Sequence, residues 1–170
     1  MDESLEGLRQ PPRAARVFAR WSAPRTAPRL VVAVHRWEYL HSGGRFGYGV
    51  FGAPILLLNT AGRRSGKRRS TPLVFAVDAG HVVVVASNEG SDADPNWLLN
   101  LEATPEAELW LGRRHLRATA RVLDSENSDY QRLWKLMNEV NFGRYEHMQA
   151  KTARSIPIVR FRLTYPHMDR

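Results

Sequence analysis

Two short apolar runs, Pro54-Ile-Leu-Leu-Leu58 and Leu73-Val-Phe-Ala-Val77, flank a polar stretch and predict strands over 54–60 and 70–78. A third run, Val82-Val-Val-Val85, sits in a strand over 80–87, joined to its predecessor by a tight turn at Asp78-Ala79-Gly80. Its continuity is expected where both faces of a strand are covered. Ala107 to Leu111 and Arg114 to Leu123 form a hairpin turning at Gly112-Arg113. Ile156 to Leu163 gives the last strand, with Pro157 placing its start at an edge or a strand end.

Between the strands the apolar period lengthens to that of a helix. Tyr130, Leu133, Trp134, Met137 and Val140 predict a helix over about 125–140, after which the chain loosens from Asn141 to Ser155. A shorter helix follows Asp94, with Asp94 as its cap, Pro95 at its first position and Trp97, Leu98 and Leu101 as its apolar stripe; Pro105 forbids its continuation. Residues 8–22 and 28–41 are further helix candidates. The second begins at Pro28, stops at Gly43-Gly44, and sets Leu30, Val31, Val34, Trp37 and Leu40 on one face with Arg29 and Arg36 on another. Six or so mostly antiparallel strands with few helices predict a mainly β fold with flanking helices, of the α+β class: a small barrel with helices packed outside it. The expected organisation is a basic helical extension over 1–27, a single barrel domain over 28–163 and a tail over 164–170.

Composition narrows the chemistry. At 170 residues, 43% hydrophobic and 25% charged, the chain suits one globular domain, and its apolar runs are far short of the ~20 residues that span a bilayer. The absence of cysteine excludes disulfides, thiol catalysis and iron–sulfur ligation, and the six histidines show no spacing expected of a metal site. Asp92 and Asp94 read as a loop and a helix cap in place of an acid–base pair. The acidic start, Met1-Asp-Glu-Ser-Leu-Glu6, lacks the features of a secretory signal, so the cytoplasm is the expected location.

The net charge of +8 is unevenly placed: Gly7 to Val77 carries thirteen of the 25 Lys and Arg residues and a single acid, Glu38. An electropositive half of this kind points to a polyanionic partner: nucleic acid, an anionic lipid surface or a phosphate-bearing ligand. Five of the cations, Arg63, Arg64, Lys67, Arg68 and Arg69, fall in the loop between the first two strands. Gly62 and Gly66 there let the backbone turn and present its N–H groups, while guanidinium forks match phosphate or carboxylate oxygens in pairs. A nucleotide P-loop is excluded, because three residues instead of four separate Gly62 from Gly66-Lys67, and Arg68 stands where Ser or Thr would hold magnesium. Nucleic acid is disfavoured, since few aromatics interleave with the cations.

Four pieces of sequence resemble the deazaflavin-dependent nitroreductases, the coenzyme F420-dependent quinone reductases of actinobacteria. They are Asn59-Thr-Ala-Gly-Arg-Arg-Ser-Gly-Lys-Arg-Arg69 with Thr71-Pro-Leu73; Gly80 through Val85-Ala-Ser-Asn88; Asp94-Pro-Asn-Trp-Leu-Leu-Asn-Leu101; and Tyr145 with Gln149, Thr152, Arg154 and Ile156-Pro157. The resemblance covers roughly residues 35–163. It implies the split β-barrel of the FMN-binding and pyridoxamine-phosphate-oxidase type. It also implies coenzyme F420 as cofactor, with FMN, another phosphorylated tricycle, the less favoured alternative.

By position in the family, Arg63, Arg64, Ser65 and Arg69 would hold phosphate and oligoglutamate tail, and Ser70, Thr71, Pro72 and Leu73 would line the path inward. Val85, Ala86, Ser87 and Asn88 would face the deazaflavin ring, and Asn96, Trp97, Leu98, Leu99 and Asn100 would close another side. The implied reaction is hydride transfer from reduced F420 to a quinone such as menaquinone, a nitroaromatic or an activated enone. Tyr145 would donate a hydrogen bond or proton to the developing oxyanion with help from Ser87, and would also contact the cofactor. Trp134, Phe142 and Met148 would form an apolar acceptor wall. Two family tyrosines fall on Phe142 and Met148, and a lysine often found at Asn88 is missing, so the acceptor stays open. A non-enzymatic F420 or flavin carrier of the same fold is the alternative. The state is expected to be monomer or homodimer, and the basic 28–41 helix is compatible with an anionic membrane surface.

Overall fold

The computed structural model describes residues 53–112 and 114–164. The helix candidates at 8–22 and 28–41, the extension over 1–27 and the tail beyond Thr164 lie outside the described residues. Six strands, β1 (Ile55–Ala61), β2 (Arg68–Asp78), β3 (His81–Val85), β4 (Glu106–Leu111), β5 (Arg114–Leu123) and β6 (Ile158–Thr164), close into a barrel in the order β1-β2-β3-β6-β5-β4. Every pairing is antiparallel, including the β1–β4 contact that closes the ring through Leu58↔Leu109. Closure removes the unpaired edges that an open sheet of this size would expose. A single 3-10 turn (Asn88–Gly90) and three helices, α1 (Asn96–Ala103), α2 (Tyr130–Val140) and α3 (Arg144–Gln149), complete the described elements.

Side-chain alternation along the strands divides the apolar residues into two cores. Leu56 and Leu58 of β1, Val82 and Val84 of β3, and Val159, Phe161 and Leu163 of β6 fill the barrel, which Trp97, Leu98 and Leu101 of α1 also enter. Val83 and Val85 of β3, Ala76 of β2 and Ile158 of β6 point the other way, into a second core under α2 and α3. The four-valine run is continuous because one face of β3 lines the barrel and the other carries the helices. In α2 the expected stripe of Tyr130, Leu133, Trp134, Met137 and Val140 is buried as predicted.

The boundaries differ from expectation where side chains outbid the local pattern. α2 starts at Tyr130, not near 125, because Asp124 Oδ1 accepts the Glu126 amide (3.1 Å) and Asn127 Oδ1 the Asp129 amide (3.0 Å), folding 124–129 into consecutive turns. The segment expected to be loose contains α3, only six residues long. α2 holds it: Glu146 Oε1 accepts from Trp134 Nε1 at 2.8 Å and Asn138 Nδ2 at 3.2 Å. β6 begins at Ile158 because the Ile156 amide is drawn to Gln149 Oε1 (3.0 Å) and Pro157 has no donor.

The α1 cap also shifts by one residue. Pro95, not Asp94, occupies the cap position and Asn96 is the first helical residue; the Asp94 carboxylate is taken by Arg154 Nη1 at 2.8 Å.

Candidate active site

The loop between β1 and β2 folds back on itself. Gly62 N donates to Lys67 O at 2.9 Å, Ser65 N and Gly66 N both donate to Gly62 O, and Gly66 adopts φ +64°, a conformation glycine takes without strain. The Arg63 amide donates to Asn100 Oδ1 at 3.1 Å and the Lys67 amide to Ser65 Oγ at 3.4 Å. Five of the loop's amides are therefore committed internally. The N–H groups expected to be presented by the turn at Gly62 and Gly66 are thus already taken.

Those side chains surround a cavity of about 530 Å³. Arg63, Arg64, Ser65, Arg69, Ser70 and Thr71 line it from the loop and the start of β2, and Asn96, Trp97 and Asn100 from α1. Two stretches distant in sequence are thus brought to one place. The link between them is a polar chain running inward from the surface: the exposed Arg63 donates through Nη1 to the exposed Asn96 Oδ1 (3.2 Å) and lies 3.4 Å from Asn100 Oδ1, while the buried Asn100 donates through Nδ2 to the buried Thr60 Oγ1 (3.1 Å). Buried amides and hydroxyls of this kind are stable only when paired, so the chain fixes loop to helix. Arg68 is committed to Glu108 at 2.7 Å, which leaves Arg64, Lys67 and Arg69 without an acidic partner among the described residues.

The remaining candidate residues lie elsewhere. Pro72 and Leu73 continue along β2 opposite Leu57 and Leu56 and do not line this cavity, and Leu98 has no exposed surface because it fills the barrel; Leu99 is half-buried. Val85 packs into the outer core and Ala86 into the barrel core, Ser87 is half-buried and Asn88 is exposed. Trp134 is committed to the α2–α3 joint through Glu146, Met148 is half-buried against that core, and Phe142, at φ +57°, is half-buried.

Tyr145 sits in the outer core at 4% exposure, tilted against Trp134 with ring centroids 6.2 Å apart. Burial pushes its phenol well above the usual tyrosine range, so it stays protonated at physiological pH. Its hydroxyl has no hydrogen-bond partner among the described residues, whereas the Tyr130 hydroxyl donates to Ile156 O at 2.7 Å. A buried hydroxyl left unpaired costs about 1–3 kcal/mol. Tyr130 is structural by that measure, and Tyr145 retains a donor unused among the described residues.

Sequence reasoning passed over Thr60, whose buried hydroxyl anchors Asn100, and assigned no role to Arg154. The signals were faint: a polar residue ending a strand, and an arginine in a motif otherwise read for Tyr145. Arg154 Nε donates to Ser91 O at 2.8 Å, and Nη2 donates to Ala86 O and Ser87 O, both at 3.1 Å, beside the Asp94 pair.

The described residues thus form a small closed antiparallel barrel with a cationic cavity beside the helix that carries Asn96 and Asn100. The sequence model of the family described as F420H(2)-dependent quinone reductase matches residues 31–161, and the chain belongs to that family. An F420H(2)-dependent quinone reductase of Mycobacterium tuberculosis (strain ATCC 25618 / H37Rv) is 36% identical over 143 residues, covering 84% of this chain and 95% of the relative. Among solved structures, an F420-H2 dependent reductase (FDR-A) shares 34% identity over 64% of this chain and 94% of its own, with a TM-score of 0.58. A domain-swapped dimer shares 33% identity over 80% and 100%, with a TM-score of 0.60. The heme storage protein HutZ of Vibrio cholerae, at 12% identity and a TM-score of 0.51 over 79% of this chain and 92% of its own, shares the fold alone. The protein is therefore an F420-dependent oxidoreductase of split-barrel fold, and coenzyme F420 is its family's cofactor.

Proposed function

We propose that the cavity between the β1–β2 loop and α1 holds the anionic half of coenzyme F420, and that Tyr145 donates a proton or hydrogen bond to a quinone-type acceptor. The observation that carries the reading is the pair of cations without an acidic partner among the described residues, Arg64 and Arg69, at a cavity whose far wall is built from Asn96, Trp97 and Asn100. When bound, F420 supplies the hydride; the protein's share is to grip, orient and stabilise charge. Arg63 braces the loop through Nη1 and keeps Nε and Nη2 for phosphate or carboxylate oxygens. Ser87 and Asn88, at the exit of β3, face the ring. The neutral hydroxyl of Tyr145, unpaired among the described residues, suits a group that meets negative charge only as reaction proceeds.

Phe142 and Met148, where the family carries hydroxyls, favour an apolar quinone head; nitroaromatics and activated enones are further acceptors of the same electronic kind. A lipid-borne quinone accords with a cytoplasmic protein resting on the inner membrane face through the basic, apolar-striped stretch 28–41. Among the described residues no helix is long and apolar enough to cross a membrane. A homodimer is the proposed assembly, in keeping with the domain-swapped relative.

Tyr145→Phe is the central test. It should lower turnover with a soluble naphthoquinone by about 100-fold while F420 affinity, followed by fluorescence titration, stays near wild type. The double variant Arg63→Ala, Arg64→Ala should weaken F420 binding by about tenfold or more, since each charge-assisted bond contributes roughly 1.5–3 kcal/mol. Undiminished turnover in Tyr145→Phe removes the donor role; undiminished binding in the arginine variant removes the cradle; binding of F420 by the wild type without turnover of any acceptor class makes the protein a carrier.

A further inference from the structure

We propose that Arg154 is a positioning residue, a single guanidinium that locks the exit of β3 to the start of α1 and to α3, and so sets the width of the F420 site. The inference rests on the placement of Ser87 and Asn88 against the ring proposed above.

The segment it holds departs from low-energy backbone. Asn88, Glu89 and Gly90 have φ of +44°, +58° and +83°, three consecutive left-handed residues of which two are not glycine. Local bonds alone, from Gly90 N to Ser87 O (2.8 Å), Ser91 N to Asn88 O (3.0 Å) and Asn88 Nδ2 to Ala93 O (2.9 Å), close the turn but do not fix it to anything else. Arg154 supplies that fixing. Its fork reaches carbonyls on both sides of the strained turn, Ala86 and Ser87 before it and Ser91 after it, and the Asp94 carboxylate at the approach to α1. Its side chain is 15% exposed, so water competes poorly for the same acceptors.

The arginine is itself anchored to α3. Gln149 Nε2 donates to Arg154 O at 2.8 Å, Arg154 N donates to Thr152 Oγ1 at 3.3 Å, and Thr152 Oγ1 donates to Asp92 Oδ1 at 2.7 Å. Close packing completes the joint: a Cβ on Gly90 would stand 2.5 Å from Met148 O. The helix that carries Tyr145, the strand end that carries Ser87 and the helix that carries Asn96 and Asn100 therefore meet at one side chain. Lysine cannot replace it, because an ammonium is a point donor and the four acceptors lie around a planar fork.

The test uses the full-length protein with F420 and a soluble naphthoquinone. Arg154→Ala and Arg154→Lys should both weaken F420 binding and lower kcat, each by about 10- to 100-fold, the loss expected when reacting groups are misplaced by about 1 Å. The acceptor KM should change less than kcat. Guanidinium at low millimolar concentration should restore F420 affinity to Arg154→Ala and not to Arg154→Lys, a rescue that a general loss of packing would not show. If Arg154→Ala does not fold, Arg154→Lys decides alone: a native melting profile with at least tenfold weaker binding supports the role, and wild-type affinity overturns it. Folded Arg154→Ala with wild-type affinity and kcat, or defects that guanidinium leaves untouched, likewise overturns it. Should the wild type not bind F420, or the Arg63→Ala, Arg64→Ala variant bind it unchanged, the cofactor placement is what fails; wild-type binding alongside unaffected Arg154 variants defeats the positioning role alone.

Discussion

Asn100→Ala should separate the anchoring of the basic loop from its charge. The carboxamide joins β1, the loop and α1 through bonds of 3.1 Å to the Arg63 amide and 3.1 Å to Thr60 Oγ1, with Arg63 Nη1 at 3.4 Å. Asn100 and Thr60 are 4% and 3% exposed, so water does not step in when the amide is removed. Two lost hydrogen bonds at about 0.5–1.5 kcal/mol each, plus part of the roughly 1–3 kcal/mol cost of an unpaired buried group, give about 2–4 kcal/mol of destabilisation. For a chain of this length that corresponds to about 5–15 °C in Tm. The freed loop must then be ordered by its ligand, which should weaken F420 binding by about tenfold or more. Asn100→Asp keeps an acceptor for Arg63 and should recover stability better than affinity, because its carboxylate competes with the ligand's anions for the same guanidinium. Thermal melting and fluorescence titration on the three proteins suffice. Asn100→Ala that melts within about 1 °C of wild type and binds F420 equally well would refute the reasoning.

Tyr130→Phe should cost about 1–2 kcal/mol in urea denaturation, since it strips the Ile156 carbonyl of its 2.7 Å donor, and should leave F420 affinity unchanged; a loss of affinity would mean that the two tyrosines do not divide their roles. The Arg132 guanidinium, donating to both Asp78 oxygens at 2.6 and 2.9 Å, holds that carboxyl below its usual value of about 3.9. With the folded value the lower, the pair's contribution is complete above the usual value and is lost as pH falls through the folded one. The stability difference between wild type and Asp78→Asn should therefore be present at neutral pH and vanish in acid; a difference independent of pH would contradict it. Gly90→Ala should be destabilised by about 2 kcal/mol or more, from its φ of +83° and the clash with Met148 O, and a variant as stable as wild type would show that the turn and α3 do not touch as described.

The sequence by itself determined the features that repeat over a few residues. Short apolar runs bounded by turn signals placed the six strands, the helical stripe from Tyr130 to Val140 placed α2, and the continuous valines of β3 announced a strand covered on both faces. The cationic loop and the Asn-Trp-Leu-Leu-Asn segment were legible as motifs, and their meeting at one cavity followed from the family they resemble. Folding decided the rest, because it depends on partners far apart in the chain. Whether Asp94 capped a helix or paired with Arg154 is settled by a residue 60 positions away. α3 exists because α2 supplies donors and a wall for a segment too short to hold a helix alone. The loop's amides look free in sequence, and those of Gly62, Arg63, Ser65, Gly66 and Lys67 are committed in the fold. Tyr130 and Tyr145 are alike as letters; only packing gives one hydroxyl an acceptor and leaves the other without one among the described residues. Periodicity fixes which face of an element is apolar, but the pairing of polar atoms across elements is a property of the closed barrel and its helices together.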